Sequence, residues 1–356
     1  MKIADVDTPG LLLDLDRVER NLDKMAEMFR TSAVKLRPHA KTHKTAAIAR
    51  MQLERGAVGI CCAKLGEAEA LVNGGIQDIL ITTEIVGETK IHRLIALATR
   101  AKLIVVVDDA VAAAAISDAA SASGLRIDVL VDVDVGQHRT GVASGLSAVV
   151  LGKAVAAMDG LHLRGLQGYD GHTQQILSRE ERRAANAESL DRLRSTARLF
   201  EAAGLSTEIV TTGGTGTSEF ARGLDVITDV QPGSYVMMDA PYASVEGLAF
   251  ERALTVLATV ISVRENWVVV DAGFKALSND GGIPIVLDAE ATFAHAGDEH
   301  GKLQFGSGPA GLDLGAKVQI VPSHCDTTVN LHSEFVVHRN GVVVERWPIV
   351  ARGRSD

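Results

Sequence analysis

The stretch Asp78–Val107, DILITTEIVGETKIHRLIALATRAKLIVVV, contains the unit from which the fold is built. It begins with a short apolar run, Asp78–Thr82, and ends with a second one, Leu103–Val107. Between them lies an amphipathic segment, Glu88–Thr99. Short runs rich in valine and isoleucine that alternate with helical segments are typical of buried parallel strands joined by helices. The stretch therefore predicts one β-α-β unit.

The same alternation extends from about residue 16 to residue 240. The candidate strands are Val34–His39, Ala57–Cys62, Asp78–Thr82, Leu103–Val107, Ile127–Val133, Leu161–Leu166, Thr207–Thr211 and Asp225–Val230. Amphipathic segments between them include Arg17–Phe29, Lys64–Asn73 and Arg179–Ala203. Eight β-α units in roughly 220 residues predict an α/β fold, a (β/α)8 barrel of the TIM type. A doubly wound open sheet stays as the alternative, because periodicity does not distinguish a closed sheet from an open one.

The pattern changes after Tyr242. Apolar runs follow with few helical segments between them: Ala253–Val263, Trp267–Val270, Lys317–Val321 and Phe335–Ile349. Asn340-Gly341 interrupts the last run and is a strong hairpin signal. We predict a barrel over residues 16–242 and a C-terminal antiparallel β domain over residues 243–356, with residues 1–15 adding one strand, Thr8–Leu15, to that domain.

The composition excludes several classes of protein. The 356 residues are 46% hydrophobic and 23% charged, which is typical of a folded domain. The net charge of −9 gives no support for nucleic acid binding. No apolar run reaches the ~18 residues that a membrane span needs. Three cysteines do not form a disulfide framework, and the N-terminus shows no apolar signal core, so we expect a cytoplasmic protein.

The segment Arg37-Pro38-His39-Ala40-Lys41-Thr42-His43 follows the first predicted strand. In an extended strand its four basic residues would point to one face. Such crowding lowers the pKa of a lysine and makes Lys41 a good amine for a Schiff base with an aldehyde cofactor. A basic surface patch or an anion-binding loop would have the same pattern.

Other polar residues fall at the carboxyl ends of later strands, where a (β/α)8 barrel has its chemistry. These segments are Asp134–Arg139, Tyr169–His172, Thr212–Gly216 and Gln231–Tyr235. The last two contain glycines beside threonine or serine, and such loops bind phosphate through backbone N–H groups and hydroxyls. A lysine across the barrel mouth from a phosphate loop is the arrangement that pyridoxal phosphate needs.

A second candidate site lies in the predicted β domain, in the segment Pro322–Asp326. If this segment is extended, His324 and Asp326 share a face and Cys325 points away. A histidine with a carboxylate suits manganese, magnesium or zinc, although such a pair is commonly structural.

Taken together, these motifs resemble the D-threonine aldolase and D-serine dehydratase family of fold-type III pyridoxal phosphate enzymes. The resemblance extends from about Thr8 to Gly353. The motifs that carry it are Arg37–Lys44, Gly59–Cys62 with Glu67-Ala68-Glu69, Asp134–Arg139, Gly213–Gly216, Gly233–Tyr235, Val270–Gly273, Asp298–Gly301 and His324–Asp326.

The resemblance implies an alanine racemase-like architecture, usually in a homodimer. It implies that Lys41, rather than Lys44, forms the Schiff base, that Arg139 lies against the cofactor ring and that Tyr169 lies near the pyridine nitrogen. The implied phosphate ligands are Thr211, Gly214, Thr215, Ser234 and Tyr235. The implied metal ligands are His324 and Asp326, with Mn²⁺ preferred and Mg²⁺ or Zn²⁺ as alternatives.

The spacing of the metal pair separates two reactions within the family. Dehydratases resemble His-x-Cys here, whereas D-threonine and 3-hydroxyaspartate aldolases resemble the His-x-Asp of this chain. We therefore predict a lyase that cleaves D-β-hydroxy-α-amino acids to glycine and an aldehyde. The alternatives are a dehydratase of D-serine, D-3-hydroxyaspartate or D-glucosaminate and, from another class, a non-catalytic pyridoxal phosphate carrier. Ala63 and Gln175 depart from the glutamine and histidine that aldolases often have there, and His172 offers a histidine at a different offset.

Overall fold

The computed structural model describes residues 1–306 and 312–356, and these divide into two compact units. The barrel unit consists of Met25–Lys41, Ala46–Gly233 and Arg354–Asp356. The β unit consists of Met1–Lys24, Thr42–Thr45 and Ser234–Gly353. The predicted domain boundaries, 16–242 and 243–356, stay predictions.

The described residues form strands and helices that are numbered here in chain order. The strands are β1 (Gly10–Asp14), β2 (Lys35–Leu36), β3 (Ile60–Cys62), β4 (Asp78–Ile81), β5 (Lys102–Val107), β6 (Ile127–Asp134), β7 (Val142–Ala143), β8 (Leu161–Gly168), β9 (Ile209–Thr212), β10 (Asp229–Val230), β11 (Leu254–Val263), β12 (Trp267–Val270), β13 (Ile285–Val286), β14 (Ala291–His295), β15 (Gly301–Phe305), β16 (Lys317–Val321), β17 (Glu334–Arg339) and β18 (Val342–Pro348). The helices are α1 (Leu15–Phe29), α2 (Ala46–Glu54), α3 (Leu65–Asn73), α4 (Glu88–Ala98), α5 (Ala110–Ala122), α6 (Leu146–Ala156), α7 (Arg179–Ala202) and α8 (Cys325–Val329).

The barrel unit has eight parallel strands in the order β2-β10-β9-β8-β6-β5-β4-β3. A parallel bridge between His39 and Cys61 joins the two ends of this order and closes the sheet. The prediction of a TIM-type barrel is thereby confirmed, and the open-sheet alternative is wrong. Parallel pairing aligns the carboxyl ends of all eight strands at one end of the barrel, where the polar loops follow.

Buried apolar side chains fill the barrel, as the valine-rich runs predict. One cluster brings together residues from β3, β4, β5, β6 and β9: Cys61, Leu80, Ile104, Val106, Leu130 and Ile209. Fully burying one such side chain contributes roughly 1.5–3 kcal/mol. Cys61 and Cys62 are both buried free thiols.

One glycine is required where β8 passes closest to β9. Gly165 has φ +148°, and a Cβ there would lie 1.9 Å from the carbonyl oxygen of Ile209. A side chain at this position would force the two strands apart. Two helices around the barrel begin at side-chain caps: Asp109 accepts from Val111 N and Ala112 N at the start of α5, and Ser178 accepts from Glu181 N at the start of α7.

The β unit contains a sheet in the order β12-β15-β14-β13-β16-β11-β1-β17-β18. Strand β1 lies within the predicted N-terminal strand Thr8–Leu15 and pairs antiparallel with β11 and parallel with β17. The predicted hairpin is also confirmed, because Asn340 (φ 48°) and Gly341 (φ 75°) connect β17 to β18. Both residues have the positive φ that this tight turn requires.

None of the helices in the two described ranges combines the length and the hydropathy that crossing a bilayer would require.

Candidate active site

Three of the predicted cofactor residues meet at the carboxyl end of the barrel. Tyr169 directly follows β8, Arg139 lies in the loop after β6, and Lys41 lies in the turn after β2. The Lys41 Nζ is 5.9 Å from the centroid of the Tyr169 ring. The Arg139 Cζ is 5.6 Å from the same centroid. Residues that are far apart in sequence therefore place an amine, a guanidinium and a phenol around one point.

The expectation that four basic side chains share a strand face is wrong. Strand β2 ends at Leu36, and residues 40–43 form a turn, so Lys41 and His43 do not continue the alternation. Arg37 instead points to acidic groups, with its Nη1 2.5 Å from Asp78 Oδ1 and its Nε 3.8 Å from Asp229 Oδ2. Its charge is balanced within the barrel wall.

His39 connects the turn that contains Lys41 to a neighbouring strand end. Its Nδ1 accepts from the backbone N–H of Lys41 at 3.3 Å, and its Nε2 lies 3.1 Å from Thr82 Oγ1. A ring nitrogen that accepts leaves the other one to donate. His39 is thus a neutral histidine that fixes the backbone of the lysine turn.

The predicted phosphate loop, Gly213–Gly216, follows β9, and both Thr215 in the loop and Thr211 in β9 are buried. Gln174 packs directly behind this loop. A Cβ on Gly214 would lie 2.6 Å from Gln174 Oε1, and one on Gly216 would lie 2.0 Å from the Gln174 carbonyl oxygen. Gly216 is thus required by the close approach of the Gln174 backbone, and Gly214 lies against the Gln174 side chain.

The remaining two predicted phosphate residues belong to the β unit. Ser234 and Tyr235 form the start of a short 3-10 helix, Ser234–Val236. Tyr235 is buried, and its ring packs edge-on against Phe250 with the centroids 5.6 Å apart.

The predicted metal residues also lie in the β unit, but their segment is not extended as expected. His324 is the extended residue that precedes the short helix α8, and Asp326 lies in the first turn of that helix. The turn still brings the pair together, with His324 Nε2 4.0 Å from Asp326 Oδ1. Among the residues that the structure describes, no set of three or more His, Cys, Asp and Glu side chains is arranged around a common metal position. The imidazole nitrogen of His324 and the carboxylate oxygen of Asp326 are donors that suit a divalent ion. With two protein ligands, such an ion would keep further positions for water or substrate.

Asp280, which the sequence did not indicate, orients His324. Its Oδ2 lies 2.6 Å from His324 Nδ1, and its Oδ1 accepts from the hydroxyl of Thr327 at 2.7 Å. Burial acts to lower the pKa of His324, but the carboxylates of Asp326 and Asp280 outweigh it and raise the pKa above its ordinary value. A carboxylate on Nδ1 directs Nε2 toward Asp326, as carboxylates behind metal-binding histidines do.

A buried polar network inside the barrel was also missed. Gln167 donates to Asp132 at 2.9 Å, while Gln231 donates to Gln167 at 3.1 Å and to Thr211 at 3.0 Å. Burial and the carboxyl group of Glu84 raise the pKa of Asp132 to about 7. The sequence signal for this network is Asp132 itself, because it lies within the valine-rich strand β6 and barrel interiors are usually apolar.

The two departures from the aldolase pattern occupy different surroundings. The backbone N–H of Ala63 donates to Glu67 at 2.8 Å, at the start of α3. Gln175 and His172 are both exposed. A Cβ on Gly136 would lie 3.4 Å from the His172 ring, so that ring lies against the loop that leads to Arg139.

The barrel residues fit pyridoxal phosphate. Lys41 supplies an amine, Arg139 supplies a second positive charge, and the glycine loop supplies backbone donors for a phosphate. A phosphate at such a loop and an aldehyde at a lysine are the two attachments that this cofactor makes.

Comparison with known proteins agrees with this geometry. The family described as alanine racemase, N-terminal domain, matches residues 13–241, and the putative serine dehydratase domain matches residues 253–338. The chain is 43% identical to a D-threonine aldolase of Arthrobacter sp., over 99% of this chain and 94% of the relative. It is 37% identical to a 3-hydroxy-D-aspartate aldolase of Paracoccus denitrificans, over 100% of this chain and 94% of the relative.

A dehydratase is among the relatives as well. The chain is 32% identical to a D-threo-3-hydroxyaspartate dehydratase of Delftia sp., over 92% of each chain. Among solved structures, D-threonine aldolase from Filomicrobium marinum superposes with a TM-score of 0.96 at 45% identity, covering 99% of this chain and 98% of that chain. The chain belongs to the D-threonine aldolase and D-serine dehydratase family of alanine racemase-like, pyridoxal phosphate-dependent enzymes.

Proposed function

We propose that this protein is a pyridoxal phosphate- and divalent metal-dependent lyase that cleaves D-β-hydroxy-α-amino acids to glycine and an aldehyde. The observation that carries the proposal is the convergence of Lys41, Arg139 and Tyr169 at the barrel mouth. Full-length similarity to two aldolases supports the choice of reaction.

Lys41 bonds the cofactor, and the residues around it hold the ring and the phosphate. Arg139 would hold the cofactor ring on the side of its phenolic oxygen, and Tyr169 on the side of the pyridine nitrogen. The phosphate ligands in this proposal are Thr211, Gly214, Thr215, Ser234 and Tyr235. When bound, the cofactor supplies an aldehyde that bonds amines and a ring that accepts the electron pair left at Cα.

His324 and Asp326 bind the metal, with Mn²⁺ preferred over Mg²⁺ or Zn²⁺. When bound, the ion would supply a Lewis acid that lowers the pKa of the β-hydroxyl group of the substrate. Asp280 keeps Nε2 of His324 available to the ion, because it occupies Nδ1. Cys325 lies between the two ligands in sequence, so the pattern is His-x-Asp rather than His-x-Cys. Cys325 is fully buried, and its backbone N–H donates to Asp239.

D selectivity, a homodimer and a cytoplasmic location complete the proposal and stay predictions. The substrate is a small D-amino acid. The alternative of a cofactor carrier is disfavoured, because such carriers have a single domain, whereas this chain has a second unit with its own nine-stranded sheet.

A dehydratase is the second candidate, favoured by the similarity to the hydroxyaspartate dehydratase of Delftia sp.. It would use the same lysine and metal but would release water and yield a keto acid with ammonia.

A product assay distinguishes the two reactions. Purified enzyme is incubated with D-threonine, D-phenylserine, D-3-hydroxyaspartate or D-serine, with and without Mn²⁺, and each L-enantiomer is the control. We expect an aldehyde and glycine in equal amounts from at least one D substrate, and strong dependence on Mn²⁺. Ammonia and a keto acid as the main products would establish the dehydratase instead, and product formation in the presence of a chelator would contradict the role of the metal.

A further inference from the structure

A fully buried arginine lies behind the predicted phosphate loop. Arg182, in the first turns of α7, has 0% of its surface exposed. Its Nε donates to the carbonyl oxygen of Gly216 at 2.9 Å. Its Nη1 donates to the carbonyl oxygens of Ile176 at 2.8 Å and Leu177 at 3.3 Å. An arginine is always charged, so a positive charge lies one hydrogen bond away from the loop.

Gln174 holds the other groups of the same loop. Its Oε1 accepts from the backbone N–H of Gly216 at 2.9 Å, and its Nε2 donates to the hydroxyl of Thr217 at 2.8 Å. That hydroxyl accepts in turn from the backbone N–H of Gly214 at 3.3 Å. Both sides of the Gly216 residue are thus bonded, its N–H to Gln174 and its carbonyl to Arg182.

These contacts have an electrostatic consequence. A guanidinium bonded to a peptide carbonyl polarises that peptide and strengthens the N–H donor at its other end. The N–H at the other end of this peptide is that of Thr217, which donates to the carbonyl oxygen of Gly214 at 3.3 Å, so the charge strengthens a bond that closes the loop. A buried charge acts at a low effective dielectric, so its effect on an anion at the loop is larger than that of a surface arginine.

We propose that Arg182 and Gln174 are positioning residues for the cofactor phosphate. Arg182 fixes the loop and adds a buried positive charge behind it, and Gln174 sets the spacing of the loop by close packing against its glycines. This inference rests on the proposed function, since it requires that the loop binds the phosphate of pyridoxal phosphate. According to this proposal, the charge of Arg182 strengthens the binding of the phosphate group and not of the rest of the cofactor.

The test compares two ligands that differ only in the phosphate. Apoenzyme is titrated with pyridoxal phosphate and with pyridoxal, and binding is followed by the absorbance of the cofactor. We expect Arg182→Met to lower the affinity for pyridoxal phosphate about tenfold, because the loop loses both the contact that fixes it and the positive charge behind it. The affinity for pyridoxal should change less than about twofold. Equal losses for both ligands, or no loss for either, would overturn the proposal, because a merely structural role would not separate them.

Arg179 offers a matched control, because it lies one turn earlier on α7 and pairs with Glu219 on the surface. Arg179→Met should leave both affinities unchanged, and an Arg179→Met variant that loses phosphate affinity as strongly as Arg182→Met would count against a special role for Arg182. If Arg182→Met does not fold, Arg182→Lys keeps the charge but cannot reproduce the three carbonyl contacts. We then expect the ratio of the two affinities to fall by about threefold, and an unchanged ratio overturns the proposal. If the wild-type protein binds neither ligand, the proposed function itself fails, which is a different result from any of these.

Discussion

The buried Asp132 should make the stability of the protein fall as pH rises, and the structure gives the size of this effect. Asp132 is 5% exposed and lies inside the barrel, where it accepts from Gln167 and from Thr140 at 3.1 Å. Burial, reinforced by the carboxyl group of Glu84 and opposed by the bond from Gln167, raises its pKa from 3.8 to about 7.

The sign follows from proton binding. Between pH 3.8 and about 7 the folded protein keeps a proton on Asp132 that the unfolded chain has lost, so rising pH favours unfolding over this range. The slope is about 1.4 kcal/mol per pH unit while the folded protein keeps the proton and is halved at the folded pKa, which gives a loss of about 2–3 kcal/mol between pH 5 and pH 8. Above the folded pKa the loss is complete. Asp132→Asn is neutral at every pH and therefore lacks this contribution.

The assay is urea unfolding of the wild type and Asp132→Asn at pH 5 and pH 8, followed by circular dichroism. The free energy of unfolding of the variant, relative to wild type, should rise by about 2–3 kcal/mol from the lower to the higher pH. Asp109→Asn, which changes an exposed carboxylate at the cap of α5, is the control and should show no such rise. A difference between wild type and Asp132→Asn that is the same at both pH values would refute the assignment of a buried proton to Asp132.

Three further predictions follow from contacts in the two units. Asp280→Ala should weaken Mn²⁺ binding about 10–100-fold in calorimetric titration, because His324 loses the group that orients it, and unchanged affinity would contradict that role. Arg37→Met should lower the free energy of unfolding by about 3–5 kcal/mol, because it leaves Asp229 buried without its cation, and Arg37→Met with Asp229→Asn should recover part of the loss in urea unfolding. Gly165→Ala should cost more than about 4 kcal/mol or prevent folding, since its Cβ would overlap a strand carbonyl, and a folded variant of wild-type stability would contradict the strand spacing described here.

The sequence was most informative about the barrel and least informative about part of the β unit. All eight barrel strands were predicted, because each lies within a short apolar run between helical segments, and most of these runs are rich in valine or isoleucine. Strands β13, β14 and β15 were missed, because β13 has only two residues and in β14 only Phe293 is buried. Long buried runs are thus visible in a sequence, whereas half-exposed strands are not.

The candidate site likewise has residues that the sequence indicates and residues that it does not. Lys41, Arg139 and Tyr169 could be predicted because each follows a strand, and the barrel brings all strand ends together. The bond between Asp280 and His324 joins residues 44 positions apart, and the bond from Arg182 to Gly216 joins residues 34 positions apart. Neither has a spacing that a sequence can show, since the folding of the chain alone brings these groups together.

The central claim is that Lys41 bonds the cofactor, and chemical trapping tests it most directly. The holoenzyme is reduced with borohydride, which makes the bond between the cofactor and the lysine nitrogen permanent, and the labelled peptide is identified by mass spectrometry. Lys44, three residues away in the same segment, is the internal control. We predict that the label is found on Lys41 and is absent from a Lys41→Ala variant; a label on Lys44, on another lysine or on none would contradict the account.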